Sequence, residues 1–321
     1  MNKKNKIIGS LTAASVAIAS TITYIVGKKV YKNSVGSKPK ISKDEMEKYY
    51  GEREDKVLDK LDKYDHEKAF IESSKNGYPI ELMNIRSSCK SNDAIVIVHG
   101  IRSNYHEVLD VAFEYLEKGY NVVVYNQRQT GSTGGNDYTF GLYEKFDLDE
   151  VVKYAKGIYS NGVLGVHGFS MGAATSALHM ELNEEDKRVD FYILDAPFHT
   201  MKSAINLGVA KNKIPMLPIK YATWAGDIYI KRKDKFSFRD IEPYKAAKNV
   251  TVPVMLIHGT DDRTTDPNGS KIIFDTIPHD KKELWLVEGL GHCKANRIIK
   301  DEYFERIFKF ISEKVENQDK K

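Results

Sequence analysis

The residues best placed to do chemistry begin with a serine between two glycines. Gly168-Phe169-Ser170-Met171-Gly172 directly follows a short apolar β-rich run, 163–167, and directly precedes a helical run, 173–180. A serine on so sharp a strand-to-helix turn needs small residues two positions to either side, because its backbone is strained and closely packed. Such a turn holds the Ser170 hydroxyl at the sheet edge with a helix N-terminus beneath it. The spacing G-x-S-x-G by itself arises by chance; its strand-turn-helix setting separates it from a loop serine beside turn glycines.

A serine hydroxyl is a weak nucleophile at its own pKa and needs a base within hydrogen-bond reach, itself oriented by an acid. On an α/β sheet the expected order along the chain is serine, acid, histidine. The run 253–258 ends in His258-Gly259-Thr260-Asp261-Asp262, and the run 283–287 is followed by Glu288-Gly289-Leu290-Gly291-His292. Asp262 and His292 therefore fall in loops after successive strands, on the same side of the sheet as Ser170. Asp262 is preferred as the acid because the fifth position of an H-G-x-x-D loop turns toward the base; the adjacent Asp261 stays open as the alternative. His66, His106, His179, His199 and His279 lie in linker, helix or loop settings, and His167 and His258 end strands where local hydrogen bonds explain them. Only His292 combines chain order, loop position and a preceding glycine, which makes it the expected base.

Acyl transfer passes through an oxyanion, which wants two preorganised N–H donors. Met171, next to the nucleophile, supplies one. The other is expected from the loop after the run 94–98, which reads His99-Gly100-Ile101-Arg102, with Gly100 letting the backbone approach and the Ile101 amide donating.

The elements that must position these groups alternate. Runs at 94–98, 121–125, 163–167, 191–194, 253–258 and 283–287 are β-rich and nearly all apolar, and amphipathic patterns such as Leu148, Val151, Val152 and Ala155 separate them. That alternation implies an α/β fold, a mostly parallel sheet covered by helices on both faces, with ligands at the carboxyl ends of the strands. Segments 68–71 and 78–85, joined around Asn76-Gly77, read as an antiparallel hairpin at its start.

Composition narrows the function. The chain has 321 residues, 41% hydrophobic and 29% charged, enough for one domain of about 250 residues with an N-terminal appendage. Its formal charge of +4 comes from Lys3, Lys4, Lys6, Lys28, Lys29 and Lys32; the rest holds 43 cations against 45 acids, which leaves no electrostatic footprint for nucleic acid. Cys89 and Cys293 are too few for a disulfide framework or a Cys-rich zinc site. Residues 7–27 carry no charge and reach roughly 30 Å as a helix, so residues 1–32 are expected to be a membrane anchor, with a secretory signal cleaved near Ala17-Ile18-Ala19 as the alternative. Residues 33–65 read as a polar linker and a charged helix, with Val57, Leu58, Leu61 and Tyr64 at helical spacing.

Taken together these motifs resemble the α/β-hydrolase superfamily, specifically the bacterial serine hydrolases that include esterase-like and acylaminoacyl-peptidase-like proteins with an N-terminal membrane segment. The likeness spans about residues 67–315. Asn126-Gln127-Arg128 with Gly131, Ser132 and Gly134 resembles a D-x-R-G-x-G-x-S loop, and Tyr138, Gly141, Glu144, Asp147 and Leu148 fit Y-x-x-G-x-x-E-x-x-D-L. Both segments are expected to brace the surroundings of the nucleophile. The chain departs from the pattern at Asn126, at Gln129, at Thr265-Asp266, where Val-Pro is usual, and at Cys293, where small residues are common.

The resemblance implies a hydrolase domain at 66–317 in which residues 196–252 form a helical cap, with Phe198, Met216, Leu217 and Trp224 as candidates for an apolar acyl pocket. It also implies ester hydrolysis through an acyl-enzyme on Ser170, acting on a small-molecule ester with a small or medium hydrophobic acyl group, and requiring no cofactor or metal. An acyltransferase or peptidase-like hydrolase would use the same triad. A membrane-tethered binding protein with a silent triad is the non-catalytic alternative.

Overall fold

The computed structural model describes residues 3–38, 57, 59–211 and 217–315. The chain opens with helix α1 (Lys3–Asn33), followed by strands β1 (His66–Glu72), β2 (Pro79–Ile85) and β3 (Ala94–Val98). Helix α2 (Leu109–Glu117), β4 (Asn121–Tyr125), α3 (Glu144–Ile158), β5 (Leu164–Phe169), α4 (Met171–Asp186) and β6 (Phe191–Asp195) alternate after it. Helices α5 (Met201–Lys211) and α6 (Ile219–Asp234) lie between β6 and β7 (Val254–Gly259), and α7 (Pro267–Thr276), β8 (Lys282–Val287) and α8 (Lys300–Lys314) complete the fold.

The eight strands form one sheet in the order β1-β2-β4-β3-β5-β6-β7-β8. Pairing is antiparallel from β1 through β2 to β4 and parallel from β4 to β8. This is the α/β-hydrolase fold. The hairpin pairs His66 with Ile85 and turns at Gly77, whose φ of 67° suits glycine. Strands β3 to β7 are buried at every residue, and their side chains alternate between two cores. Ile95, Ile97, Val122 and Val124 pack against α2 and α8, whereas Val96, Val98, Val123 and Tyr125 pack against α3, α4 and α7. The loops at the ends of these strands thus rest on a central part of the sheet that is solvated on neither face.

A third cluster lies above the start of α4. It joins Val26 and Val30 of α1, Ile205 and Val209 of α5, Ala222 and Ala225 of α6, and Met171 and Ala174 of α4. Helices α1 and α6 cross closely because glycine stands at the contact. A Cβ on Gly27 would lie 2.5 Å from the Ala225 carbonyl oxygen, and one on Gly226 would lie 2.5 Å from a Val30 methyl.

The N-terminal expectation is overturned. Among the described residues no helix is long and apolar enough to cross a membrane. The uncharged run is diluted by Ser15, Ser20, Thr21 and Thr23, and the C-terminal half of α1 is seated on the protein itself, with Thr23 Oγ1 2.8 Å from the Tyr221 hydroxyl. With the span fall the membrane partner and the membrane-anchored location. Of the charged helix expected before the hairpin, residues 57 and 59–61 are helical, with Leu61 buried and Tyr64 stacked on Phe113; Leu58 and residues 39–56 lie outside the described residues.

Candidate active site

Ser170 sits between β5 and α4 with φ 55° and ψ −116°, a left-handed conformation costly for a residue with a side chain. Glycine neighbours make the turn possible. A Cβ on Gly168 would lie 2.5 Å from the Gly172 carbonyl oxygen, and one on Gly172 would lie 2.2 Å from that of Val98. The Ser170 N–H donates to the Asp195 carbonyl at the end of β6 (2.8 Å), tying the turn to the neighbouring strand.

From Ser170 a line of hydrogen bonds crosses two strand ends. The Ser170 Oγ lies 2.8 Å from His292 Nε2, and His292 Nδ1 lies 2.6 Å from Asp262 Oδ2. His292 stands in the loop after β8 and Asp262 in the turn after β7. The carboxylate that meets His292 is that of Asp262, which is buried, while Asp261 is exposed to solvent.

Asp262 is heavily supplied with donors. Its Oδ1 accepts the backbone N–H groups of Thr264 (2.7 Å) and Thr265 (3.1 Å). Its Oδ2 accepts, besides His292, the Thr265 hydroxyl at 2.8 Å and His258 Nε2 at 3.1 Å. Burial opposes its charge, but the hydrogen bonds from His258 and His292 outweigh that and hold the carboxyl far below the ordinary carboxylate range. An ionised Asp262 fixes both imidazoles as donors toward it. His292 then presents a bare Nε2 to the serine hydroxyl, and His258 presents Nδ1 to the Ser270 hydroxyl at 2.6 Å.

His258 is the group that sequence reasoning left outside the site. Its strand-end position and local hydrogen bonds are as expected, but one of those bonds goes to Asp262. The signal lay in the spacing His258-Gly259-Thr260-Asp261-Asp262, which turns a histidine at a strand end back onto a carboxylate four residues later.

On the other side of Ser170, Gly100 approaches so closely that a Cβ there would lie 3.4 Å from the serine Cβ. His99, wholly buried and held neutral by burial with its pKa down to about 4, fixes this loop. Its Nδ1–H donates to the Gly100 carbonyl (2.7 Å) and its Nε2 accepts the Gln127 N–H (3.0 Å). Ile101 and Met171 border the same cavity as Ser170, and Met171 opens α4, where the first backbone N–H groups lack intrahelical acceptors.

The two bracing segments surround this turn. Asn126 donates to Glu81 (2.7 Å), Arg128 pairs with Asp137 (2.8 Å), and Gln129, at φ 66°, reaches the Ser37 carbonyl (3.0 Å). The buried Glu144 carboxylate accepts the N–H groups of Thr139 (2.7 Å) and Gly141 (2.9 Å), and Asp147 accepts from Tyr78 (2.6 Å) and Asn76 (2.8 Å). Cys293 is half-buried beside His292, and desolvation pushes its thiol well above the ordinary range, so it stays a thiol there.

A cavity of about 320 Å³ opens over Ser170. Its apolar lining includes Phe140, Met171, Phe198, Ile205 and Val209, and the end of α1 contributes Val30, Asn33 and Ser34. Of the residues expected to form an acyl pocket, Phe198 lines this cavity. Leu217 packs against the third cluster instead. Trp224, 53% exposed, borders a separate hollow between α1 and α6, and Met216 lies outside the described residues. The contribution of α1 was missed, because nothing local in 30–34 announces a partner nearly two hundred residues away.

Comparison with known proteins agrees with this fold. The family model Hydrolase_4, described as serine aminopeptidase, S33, matches residues 90–243 and 241–296. The Bacillus subtilis (strain 168) protein YqkD, described as uncharacterized, is 28% identical over 245 residues, 76% of this chain and 78% of that protein. Among solved structures, the Pyrococcus furiosus esterase Pf2001 superposes with a TM-score of 0.63 at 22% identity, covering 78% of this chain and 93% of that one. The Pyrococcus horikoshii acylaminoacyl peptidase superposes with a TM-score of 0.59 at 18% identity, covering 83% of this chain but 44% of that longer one. At these identities the two structures speak for the fold.

Proposed function

We propose, from the premise that the chain belongs to the Hydrolase_4 (serine aminopeptidase, S33) family and is an α/β hydrolase, that it is a serine hydrolase cleaving carboxylic esters of small or medium hydrophobic acyl groups. The observation that carries this reading is the continuous line of hydrogen bonds from the Ser170 hydroxyl through His292 to the buried Asp262.

In this reading Ser170 Oγ attacks the ester carbonyl carbon while His292 Nε2 takes its proton. The imidazolium so formed is stabilised by Asp262, which His258 and the Thr264 and Thr265 amides hold in place. The oxyanion forms against the Met171 and Ile101 N–H groups. His292 returns the proton to the leaving alkoxide, and the acyl group stays on Ser170. A water deprotonated by His292 then attacks the acyl-enzyme, and collapse of the second oxyanion releases the acid and restores the serine.

Esters are favoured over aminopeptidase substrates by the lining of the cavity. A free peptide N-terminus carries an ammonium that wants a carboxylate partner, and among the described residues the lining contains neither Asp nor Glu. The apolar side chains over Ser170 suit a hydrocarbon chain. The test is active-site labelling followed by turnover. A fluorophosphonate probe is expected to label the wild-type chain and not Ser170→Ala, and aryl esters of graded chain length should be hydrolysed with an optimum at short or medium acyl groups. Absence of labelling in both proteins sinks the proposal.

A further inference from the structure

The cavity over Ser170 is not only apolar. Arg102, Lys211 and Arg263 also line it, each from a different part of the fold. Arg102 follows Ile101 in the loop after β3, Lys211 ends α5, and Arg263 follows Asp262 in the turn after β7. Among the described residues no carboxylate lines the cavity with them.

Elsewhere in the molecule some cations are matched with acids. Lys60 pairs with Glu117 at 2.8 Å, Arg128 with Asp137 at 2.8 Å, and Lys300 with Glu114 at 2.6 Å. None of the three cavity cations makes an ion pair among the described residues. Arg102 is held in place rather than free in solvent. Its backbone has a φ of 61°, its Nη2 donates to the Asn33 carbonyl at 2.9 Å, and its Nε–H is buried with no acceptor. A charged group with an unanswered buried donor is costly unless something supplies the missing acceptor. Like charges brought to one concave surface also raise the local concentration of anions.

Resting on the esterase reading above, we propose that this site takes an anionic amphiphile: an ester whose hydrophobic acyl part lies among Phe140, Phe198, Ile205 and Val209 while a carboxylate or phosphate elsewhere on the molecule is held by Arg102, Lys211 and Arg263. The apolar lining selects for chain and the cations select for charge. Neutral esters of the same length are the poorer substrates.

Binding tests this separately from turnover. Octanoate, octyl phosphate and octanol are titrated calorimetrically into the full-length Ser170→Ala chain, which cannot turn over an ester. Both anions are expected to bind about tenfold or more tightly than octanol at low salt, with the better of the two identifying the preferred head group. That advantage should shrink several-fold between about 20 mM and about 500 mM salt, as screening shortens. It should fall again in Arg263→Gln and in Lys211→Gln, both of which alter solvent-exposed side chains. Equal or tighter binding of octanol overturns the proposal, as does an anion preference that neither salt nor either substitution reduces. In the wild-type chain, p-nitrophenyl hydrogen glutarate should be hydrolysed with a kcat/KM about tenfold above that of p-nitrophenyl valerate at low salt. Tight binding of octanoate without labelling of Ser170 would remove the esterase reading and leave the anion site standing. Labelling of Ser170 with a preference for valerate would do the reverse.

Discussion

The cavity has two walls built on different principles. Strand ends make the wall that carries Ser170, with His292 and Asp262 behind it, and there single backbone atoms decide the outcome: Gly172 faces the Val98 carbonyl, and the Thr264 and Thr265 amides fill one Asp262 oxygen. Helices α1 and α5 make the other wall from interchangeable apolar side chains, with α6 behind α1 at two glycine contacts. A wall of the first kind fails when one atom is lost. A wall of the second kind changes shape. Substitutions in the first should therefore register in rate, and in the second in substrate choice.

The sharpest test lies within two adjacent residues. Asp262→Asn should lower kcat by ~10⁴-fold, because the imidazole loses the acceptor that fixes its tautomer, whereas Asp261→Asn should stay within a few-fold of wild type. Aryl-ester kinetics on both variants decides it, and similar losses in the two would erase the distinction between the carboxylates.

His258 should come next. His258→Leu removes a donor to the ionised Asp262, a hydrogen bond to a charged group worth about 1.5–3 kcal/mol, so kcat/KM is expected to fall roughly 10- to 100-fold with most of the change in kcat. A change confined to melting temperature would make His258 a packing residue only.

Asp195 probes the same wall through pH. Burial pushes its carboxyl from 3.8 up to about 6, against the hydrogen bond from Tyr303 at 2.9 Å. The folded chain therefore keeps a proton that the unfolded chain releases near pH 4. This group's contribution to stability is full below that pH, is lost as pH rises toward 6, and stays lost above. Asp195→Asn should accordingly gain about 2–3 kcal/mol on the wild type between pH 4 and pH 7 in denaturant melts. A constant offset across that range would show that Asp195 ionises in the fold as easily as outside it.

The smallest effect belongs to the helical wall. Gly27→Leu cannot fit against Ala225 without moving α1, and with it Val30, Asn33 and Ser34 at the cavity. The expected result is a several-fold change in KM that depends on acyl chain length, with fluorophosphonate labelling of Ser170 retained. An unchanged chain-length profile would detach α1 from the site.

The same division governs what the sequence discloses. Gly168, Ser170 and Gly172 are legible because a strained turn tolerates few residue types, and the places of Asp262 and His292 follow from loops after consecutive strands. Strand phase is legible too, since Val96 and Ile97 must face opposite cores. The helical wall is not, because apolar residues in an insertion do not say which neighbour they meet. Trp224 looks like a pocket residue and instead stands beside α1, while the small Ala222 and Ala225 join the cluster above the site. The uncharged stretch of α1 misleads for a related reason: absence of charge is shared by a membrane span and by a Ser- and Thr-diluted helix that buries Val26 against its own protein while Val16, Ile18 and Ile25 stay exposed.

The crossing of α1 with α6 sets an order of events during translation. Val26 and Val30 leave the ribosome nearly two hundred residues before Ala222 and Ala225, so at 5–20 residues per second they wait roughly 10–40 s for their seat. Through that interval a sticky segment has no native place to go, which makes it a target for holdase chaperones. The helical wall of the cavity is complete only after that late docking, although its α1 residues are made long before those of α6.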